Sequence, residues 1–406
     1  MSTDKRDLYP LLVLGTSLCL MIIGTGSVYL LVVALKPIST EFGWPRSDLS
    51  IAYAAQYFGA GVGGIAMGFW LDRSGMAKPA LLGAIMIGLG GVATSFADAA
   101  WHFWLIYGLM MGLFGRATLF SPLMANITRW FGPRRAFAVG ILGSGQALAG
   151  GLWPPIFQYG IETYGWRSTS LWYGVLVLAV MVPLTVVFRR RLPEQPSAPG
   201  GKSSSSTYRT ILSEPTLLIV LCSAIVGCCV AMSLPLAHMV AHVSDLGYAP
   251  ARGAEMLSLA LLTAALSSMV GLGALTSRFG GLGALLTFST VQTFALGLLL
   301  VFDDLAALYV VAIIFGLGYG GILPSYPVIV REYLPGQTAG SRTAIVVFFG
   351  SLGMAIGSWL GGLAHDLTGA YGPAFAVGIG FNCFNLLVIT AVFRRARGTN
   401  LQLAPA

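Results

Sequence analysis

Twelve stretches of the chain are long and apolar enough to cross a lipid bilayer as α-helices, and no other feature restricts the fold as strongly. A membrane-spanning helix needs about 20 mostly apolar residues. The stretches cover residues 10–36, 48–71, 79–98, 101–128, 135–160, 166–188, 214–241, 254–276, 282–302, 305–331, 341–363 and 372–393. Because water does not reach the backbone inside a bilayer, such segments satisfy their N–H and C=O groups as helices. The sequence therefore predicts an all-α integral membrane protein with twelve transmembrane helices.

Composition agrees with a lipid environment and disfavours several partners. Charged residues make up 9% of the chain, against about 25% in soluble domains. The formal net charge of +8 comes from short basic clusters between apolar stretches, which argues against a nucleic-acid partner. The five cysteines lie inside apolar stretches without zinc-like or redox spacing, so we interpret them as small core residues. We expect no metal site and no cofactor.

The distribution of lysine and arginine over alternate loops predicts the orientation in the membrane. Of 23 basic residues, one set of loops holds only Lys36, Arg46, Arg167 and Arg252, and Arg116 belongs to neither set. The other set, which includes both termini, holds the remaining 18. Since cytoplasmic loops retain positive charge, both termini are predicted to be cytoplasmic.

A polar segment divides the twelve stretches into two groups of six. Residues 189–213 open with three arginines and continue with prolines, glycines and serines, which offer little to bury. We expect residues 1–188 to form an N-terminal six-helix bundle, 189–213 a cytoplasmic linker, and 214–406 a C-terminal six-helix bundle.

The two groups of six repeat one another. Residues 68–75 read Gly-Phe-Trp-Leu-Asp-Arg-Ser-Gly, and 205 positions later residues 273–280 read Gly-Ala-Leu-Thr-Ser-Arg-Phe-Gly. A second match, 207 positions apart, joins Val-Gly-Ile-Leu-Gly-Ser at 139–144 to Val-Val-Phe-Phe-Gly-Ser at 346–351. Parallel repeats predict two pseudo-symmetric bundles with a substrate site between them, near the middle of the membrane.

The loop at residues 68–75, its repeat at 273–280 and the six-plus-six layout resemble the major facilitator superfamily across nearly the whole chain. The resemblance implies a transporter that works by alternating access, in which the two halves rock about a central site. It also implies that Asp72, Arg73 and Arg278 serve a gate at the cytoplasmic side.

Residues 129–145 are similar to the signature between helices 4 and 5 of the monocarboxylate and oxalate–formate porters. Members of that branch often carry a substrate-binding arginine in helix 8, and some a lysine in helix 1 or 11; residues 257–276 and 343–362 hold no basic residue. The resemblance implies a secondary active transporter of the cytoplasmic (inner) membrane. Its substrate would be a small organic anion, a monocarboxylate, with a proton as the candidate symported ion.

Arg116 lies about the middle of the fourth apolar stretch, where a charge costs roughly 2.5–3.5 kcal/mol on insertion scales. All fifteen carboxylates lie in loops or near helix ends, so the sequence offers no counter-ion at this depth. A substrate carboxylate would accept two parallel hydrogen bonds from the guanidinium. The alternative is that Arg116 bonds neighbouring helices and only braces the fold. One arginine favours one carboxylate over phosphates or dicarboxylates.

Five further residues at mid-helix depth are candidate walls of the substrate cavity, each with ordinary helix packing as the alternative: Tyr29, Gln56, Gln146, Tyr319 and Tyr326. Tyr29 falls where the resembling carriers place their helix 1 lysine. His238 is the deepest histidine in a core without carboxylates, so it is the candidate proton-coupling residue. An inert, hydrogen-bonded histidine is the alternative. As a metal pair, His238 and His242 would need a third ligand.

Other functions stay open at this stage. A drug or metabolite exporter would use the same fold with an apolar pocket and would not need Arg116. A membrane enzyme would need a base, nucleophile or metal cluster in the core, and a sensor would add a signalling domain. The sequence offers neither feature, so we expect no enzymatic activity and a monomeric transporter.

The predicted orientation can be tested by labelling a single cysteine in the linker. In a background without the native cysteines, Ser204→Cys should react with an impermeant maleimide in inverted vesicles and not in intact cells, because the basic loops face the cytoplasm. Labelling from outside intact cells would show that the predicted orientation is wrong.

Overall fold

The computed structural model describes residues 8–131, 135–190, 212–335 and 339–402, and within them the chain is helical with no strand. Six helices precede the predicted linker. They are α1 (Tyr9–Phe42), α2 (Arg46–Ser74), α3 (Ala77–Ser95), α4 (Ala100–Leu105, continued to Trp130 through shorter pieces), and α5 and α6, the two arms of the run Arg135–Leu184. Residues 191–211 lie outside the described residues, and so does Ser204. The limits of the two bundles therefore stay a prediction.

Six helices follow the linker. They are α7 (Glu214–Asp245), α8 (Pro250–Leu266, continued through a π-helical segment Ser267–Gly271), α9, α10 (Leu305–Tyr333), α11 (Ala339–Thr368) and α12 (Gly372–Gln402). The run Leu272–Leu298 contains the end of α8 and all of α9, which meet at Gly280. We call the end of the bundle where α1 ends and α2 begins the far end. The opposite end, where α2 ends and α3 begins, is the basic end.

Nine continuous helical runs in the described chain are long and apolar enough to cross a membrane. Two of them, Ala138–Arg189 and Pro250–Leu298, are about twice the length of the others and each contains two arms. The nine runs together therefore contain eleven transmembrane helices, and α2 is the twelfth. The predicted all-α fold with twelve transmembrane helices in two pseudo-symmetric bundles is confirmed.

Backbone geometry records the internal repeat more directly than the side chains do. All six residues with positive φ in the described chain are glycines, and they form three pairs separated by 204 or 205 positions: Gly43 with Gly247, Gly75 with Gly280, and Gly165 with Gly369. Gly75 has φ 74° and ψ 178°, and Gly280 has φ 71° and ψ 177°. This region is open essentially to glycine alone. The same three turns in both halves require the same residue.

Glycines also let equivalent helices approach closely in the two halves. A Cβ atom on Gly59 or Gly63 of α2 would lie 2.3 Å from a backbone oxygen of α4. A Cβ on Gly316 or Gly320 of α10 would lie 2.1 or 2.0 Å from a backbone oxygen of α8. Small residues at such contacts bring the helix backbones together, which is how membrane helices gain packing energy.

One local feature was not predicted from the sequence. Residues Ile106–Arg116 of α4 form a π-helix, which ends at Arg116. A π-helical segment widens the helix and often occurs at a functional site. Because of this segment, the Arg116 side chain does not follow the α-helical register of residues Ala100–Leu105.

The paired glycine turns predict a difference between two Gly→Ala substitutions, one within α2 and one directly after it. Gly75→Ala should destabilise the protein by about 1–3 kcal/mol, because alanine is strained at this φ and ψ although no atom lies within 4 Å of the new Cβ. Gly68→Ala is the matched control: its Cβ also meets open space, within the helix, where alanine is favoured by up to about 1 kcal/mol. Thermal unfolding in detergent should show a lower Tm for the first variant only. Equal Tm values would contradict the strain at Gly75.

Candidate functional site

A cationic and aromatic cluster lies near the middle of the membrane. Arg116 comes from α4, Tyr57 from α2, Tyr29 from α1 and Tyr319 from α10, and each lies near the centre of its helix. The first three helices belong to the N-terminal half and α10 to the C-terminal half. The cluster therefore spans both halves at the depth where parallel repeats place a substrate site.

Arg116 is half-buried, and one of its terminal nitrogens has no hydrogen-bond partner. Its guanidinium carbon lies 4.7 Å from the centre of the Tyr57 ring, a cation–π contact. Its Nη1 atom is buried without a hydrogen-bond partner, and no ion pair between described residues includes it. A ring face stabilises the charge but accepts no N–H bond in the guanidinium plane. The Nη1 hydrogens therefore have no acceptor among the described residues.

Tyr57 was missed by the sequence analysis. Its ring centre lies 4.9 Å from that of Tyr53. This pairing holds the Tyr57 ring below Arg116. Aromatic residues are common in membrane helices, so only the i, i+4 spacing of Tyr53 and Tyr57 offered a signal, and it does not point to a cation.

Tyr29 and Tyr319 approach the same point from opposite halves. Both phenol groups lie within electrostatic range of the Arg116 guanidinium. The Tyr29 hydroxyl lies beside α5, where a Cβ on Gly150 would be 2.6 Å from it. Tyr319 is half-buried and stacks on Phe315 at 6.1 Å between ring centres. The arrangement offers one cation and two phenol hydroxyls to a ligand.

The other predicted cavity residues lie in different surroundings. Gln146 on α5 is half-buried. Gln56 is fully buried, donates from Nε2 to Ser27 Oγ at 3.0 Å, and has no partner for Oε1. Tyr326 is also fully buried, with its hydroxyl 3.4 Å from Cys228 Sγ. Substrate contact by Gln56 and Tyr326 stays a prediction, since neither side chain is accessible in this conformation.

His238 is fully buried between helices of the C-terminal half. Its Nε2 lies 2.8 Å from the Ser358 carbonyl oxygen of α11, and its Nδ1 has no partner. Its ring centre is 5.0 Å from that of Tyr371, which precedes α12. His238 is thus nearer the far end than Arg116 is. In the part of the chain that the structure describes, no three His, Cys, Asp or Glu side chains are grouped so as to hold a metal ion.

Of the predicted gate residues at the basic end, the two with described side chains do not join the two halves in this conformation. Arg73 and Arg278 are exposed, and the Arg278 guanidinium lies over the Phe279 ring of its own half at 5.2 Å. The Asp72 side chain lies outside the described residues. Glycines near this end, Gly68 in α2 and Gly340 in α11, would meet no atom within 4 Å if given a Cβ. The contribution of Asp72, Arg73 and Arg278 to gating stays a prediction.

The far end, in contrast, is closed by an ion cluster that the sequence analysis missed. We define the far-end cluster as Lys36 and Arg46 of the N-terminal half with Asp245 and Asp366 of the C-terminal half. The Arg46 guanidinium binds the Asp245 carboxylate through both terminal nitrogens, and Lys36 Nζ lies 2.8 Å from Asp245 Oδ1. Between described residues, every hydrogen bond or ion pair that joins the two halves involves this cluster.

Asp366 completes the closure through the backbone of α2. Its Oδ1 accepts from the Arg46 N–H and its Oδ2 from the Ser47 N–H, each at 2.8 Å. Free N–H groups and the helix dipole favour an anion at a helix start. Close packing accompanies these bonds, since a Cβ on Gly362 would lie 2.5 Å from Ser50 Oγ. The bundle is closed at the far end.

Twelve membrane-spanning helices in two parallel repeats are typical of a membrane transport protein. The family model of the Major Facilitator Superfamily matches residues 16–291 and 219–406, and the chain belongs to this family. It is a transporter of that superfamily, as the loop at residues 68–75 predicted.

Curated relatives and a solved structure agree with this assignment. The chain is 28% identical over 333 residues to monocarboxylate transporter 13 of Rattus norvegicus, covering 81% of this chain and 75% of the relative. It is 26% identical to the uncharacterized MFS-type transporter YcxA of Bacillus subtilis, covering 86% of each. The fold matches a bacterial homolog of the human lysosomal transporter Spinster, solved inward-facing and unoccupied, with a TM-score of 0.73, 15% identity and 98% coverage of both chains.

The far-end cluster predicts that Arg46→Gln opens the far end. The substitution removes the two-pronged bond to Asp245, and a charge-assisted hydrogen bond contributes about 1.5–3 kcal/mol. Ser50→Cys, buried under the closure, should therefore react with an impermeant maleimide about tenfold faster in the variant.

Arg167→Gln provides the matched control for this test. Arg167 also lies at the far end, but its partner Glu41 belongs to the same half. Its substitution should leave the labelling rate of Ser50→Cys unchanged. Equal rates in the Arg46 and Arg167 variants would mean that the ion cluster does not hold the halves together.

Proposed function

We propose that the protein is a secondary active transporter that moves a small monocarboxylate across the cytoplasmic membrane by alternating access. The observation that carries this proposal is the buried Nη1 atom of Arg116, which has no hydrogen-bond partner at the midplane of the bundle. Intramembrane charges are costly and are generally retained for function. The similarity to monocarboxylate transporter 13 supports the same substrate class.

A carboxylate fits the described cluster better than a neutral ligand does. With Tyr57 below the guanidinium plane, the in-plane N–H groups are left for a planar acceptor with two oxygens. Tyr29 and Tyr319 add hydroxyl donors from the two halves. A ligand held between them would contact both halves at once and would favour conformations in which the halves come together. Gln146 is a further candidate contact.

One guanidinium also favours a single negative charge. In the described chain, the nearest cations to this cluster are the exposed or far-end residues of the loops, and no second basic side chain lies at midplane depth. A dicarboxylate or phosphate would bring a second charge without a partner into a low-dielectric region, which is costly. The apolar and aromatic walls suit the remainder of a small organic acid.

Alternating access accounts for the unequal ends of the bundle. The far end is joined by ion pairs, while Arg73 and Arg278 at the basic end are exposed and do not bond the opposite half. We propose that the basic end is cytoplasmic, so that this conformation opens inward. Asp72, Arg73 and Arg278 would then form the opposite gate when the halves rock. A monomer is sufficient for this mechanism, because both halves of the site belong to one chain.

Arg116 variants test the proposal. Arg116→Lys keeps the charge but loses the planar fork, and Arg116→Gln loses both, so affinity for a monocarboxylate should fall in that order. Taking about 1.5–3 kcal/mol for a charge-assisted hydrogen bond, the glutamine variant should lose at least about tenfold in affinity. Ligand-induced thermal stabilisation of purified protein, measured with a panel of monocarboxylates and their neutral amides, provides the affinities.

Arg331→Gln is the control, because Arg331 is an exposed arginine at the basic end of α10. It should bind every ligand of the panel as the unmodified protein does. If a carboxylate stabilises Arg116→Gln as strongly as the unmodified protein, with both folded by size-exclusion chromatography, Arg116 is a structural residue and the proposed anion site is wrong.

A further inference from the structure

A histidine lies inside the far-end closure, beside both carboxylates that hold it. His365 belongs to α11, and its side chain is 16% exposed. Its Nε2 lies 3.4 Å from Asp245 Oδ2, and its Nδ1 lies 3.9 Å from Asp366 Oδ1 and has no hydrogen-bond partner. The ring also packs on Tyr371, with 4.7 Å between ring centres. Neither the substrate site nor the predicted coupling residue His238 uses this group.

The charges around His365 balance only while the far end is closed. The charged and titratable groups around it are Lys36 from α1, Arg46 from α2, Asp245, His238 and His242 from α7, Asp366 of α11 and Tyr371 before α12. Two cations and two carboxylates cancel when His365 is neutral. A proton on His365 would leave this partly buried cluster with one uncompensated positive charge. The added charge repels Arg46 and Lys36 and competes with them for the two carboxylates.

Opening the far end changes this balance, because the four charged groups belong to different halves. Lys36 and Arg46 move with α1 and α2. Asp245, Asp366 and His365 stay together on α7 and α11. His365 then faces two carboxylates without the two cations, and opposite charges at such distances favour its protonated form. A proton therefore binds more tightly to the far-open arrangement than to the far-closed one.

We propose that His365 is a proton-binding site whose occupation opens the far end of the transporter. By linkage, a ligand that binds one conformation more tightly shifts the population toward it. Acid on the far side therefore favours the far-open state, in which the midplane site is accessible from that side. This site is separate from the Arg116 cluster and goes beyond the proposed function, since it sets which end is open in the absence of substrate.

The test measures the opening directly and without substrate. Tyr164 and Val301 are exposed at the far end of opposite halves. In a background without the native cysteines, the double variant Tyr164→Cys and Val301→Cys carries one spin label in each half. Pulsed electron–electron double resonance then measures the distance between the two labels. Between about pH 8 and about pH 5.5, the ratio of far-open to far-closed molecules should rise at least about threefold. In His365→Gln the ratio should not change with pH.

Two further variants keep the test decisive. His102→Gln is the matched control, because His102 lies at the far end but pairs with Asp98 of its own half, and it should keep the full pH response. His365→Lys carries a fixed charge and should be far-open even at about pH 8, which tests the proposal if the glutamine variant does not fold. A pH response that persists in His365→Gln, one that His238→Gln removes instead, or a far-closed His365→Lys protein would overturn the proposal. None of these readouts depends on Arg116, so the two proposals fail independently.

Discussion

The bilayer requires every backbone N–H and C=O at membrane depth to be bonded within the protein, and the architecture follows from that requirement. It makes the transmembrane segments helical and leaves the helix ends and side chains as the places where polar chemistry can occur. In the described chain, charged groups accordingly gather at the ends, with Arg116 at the midplane. Its cation–π contact with Tyr57 lowers the cost of that placement without closing its hydrogen-bonding edge.

The fold was predictable because its determinants are local in sequence. Hydropathy locates the helices, and the repeated loop at residues 68–75 and 273–280 locates the pseudo-symmetry; the paired φ and ψ values of Gly75 and Gly280 give the physical reason for that repeat. The π-helical part of α4 was not predictable, since it does not alter the apolar pattern. The predicted stretches leave a gap at residues 161–165 between α5 and α6. In the structure the helix is interrupted only at Gly165, which has non-helical φ and ψ.

A candidate functional residue could be predicted from the sequence only where its residue type is unusual for its neighbours. Arg116 is such a residue, because a charge inside an apolar stretch is rare. Arg46, Asp245 and Asp366 are not, since charged residues at helix ends are ordinary and their pairing is visible only when α2, α7 and α11 are brought together. His365 escaped notice for the same reason. Arg116 could therefore be predicted as a candidate site residue, and the far-end cluster could not.

The carboxylate of Asp366 also gives α2 something that its own sequence does not provide. The helix begins after Pro45, and no side chain of the preceding residues bonds its first N–H groups. Those groups are instead bonded by α11, from the other half of the molecule. When the halves part, the first turn of α2 loses this cap and must be solvated by water. Fraying of the helix at Arg46 and Ser47 can be measured by amide hydrogen exchange. Exchange at these two residues would therefore report the conformational cycle without any label.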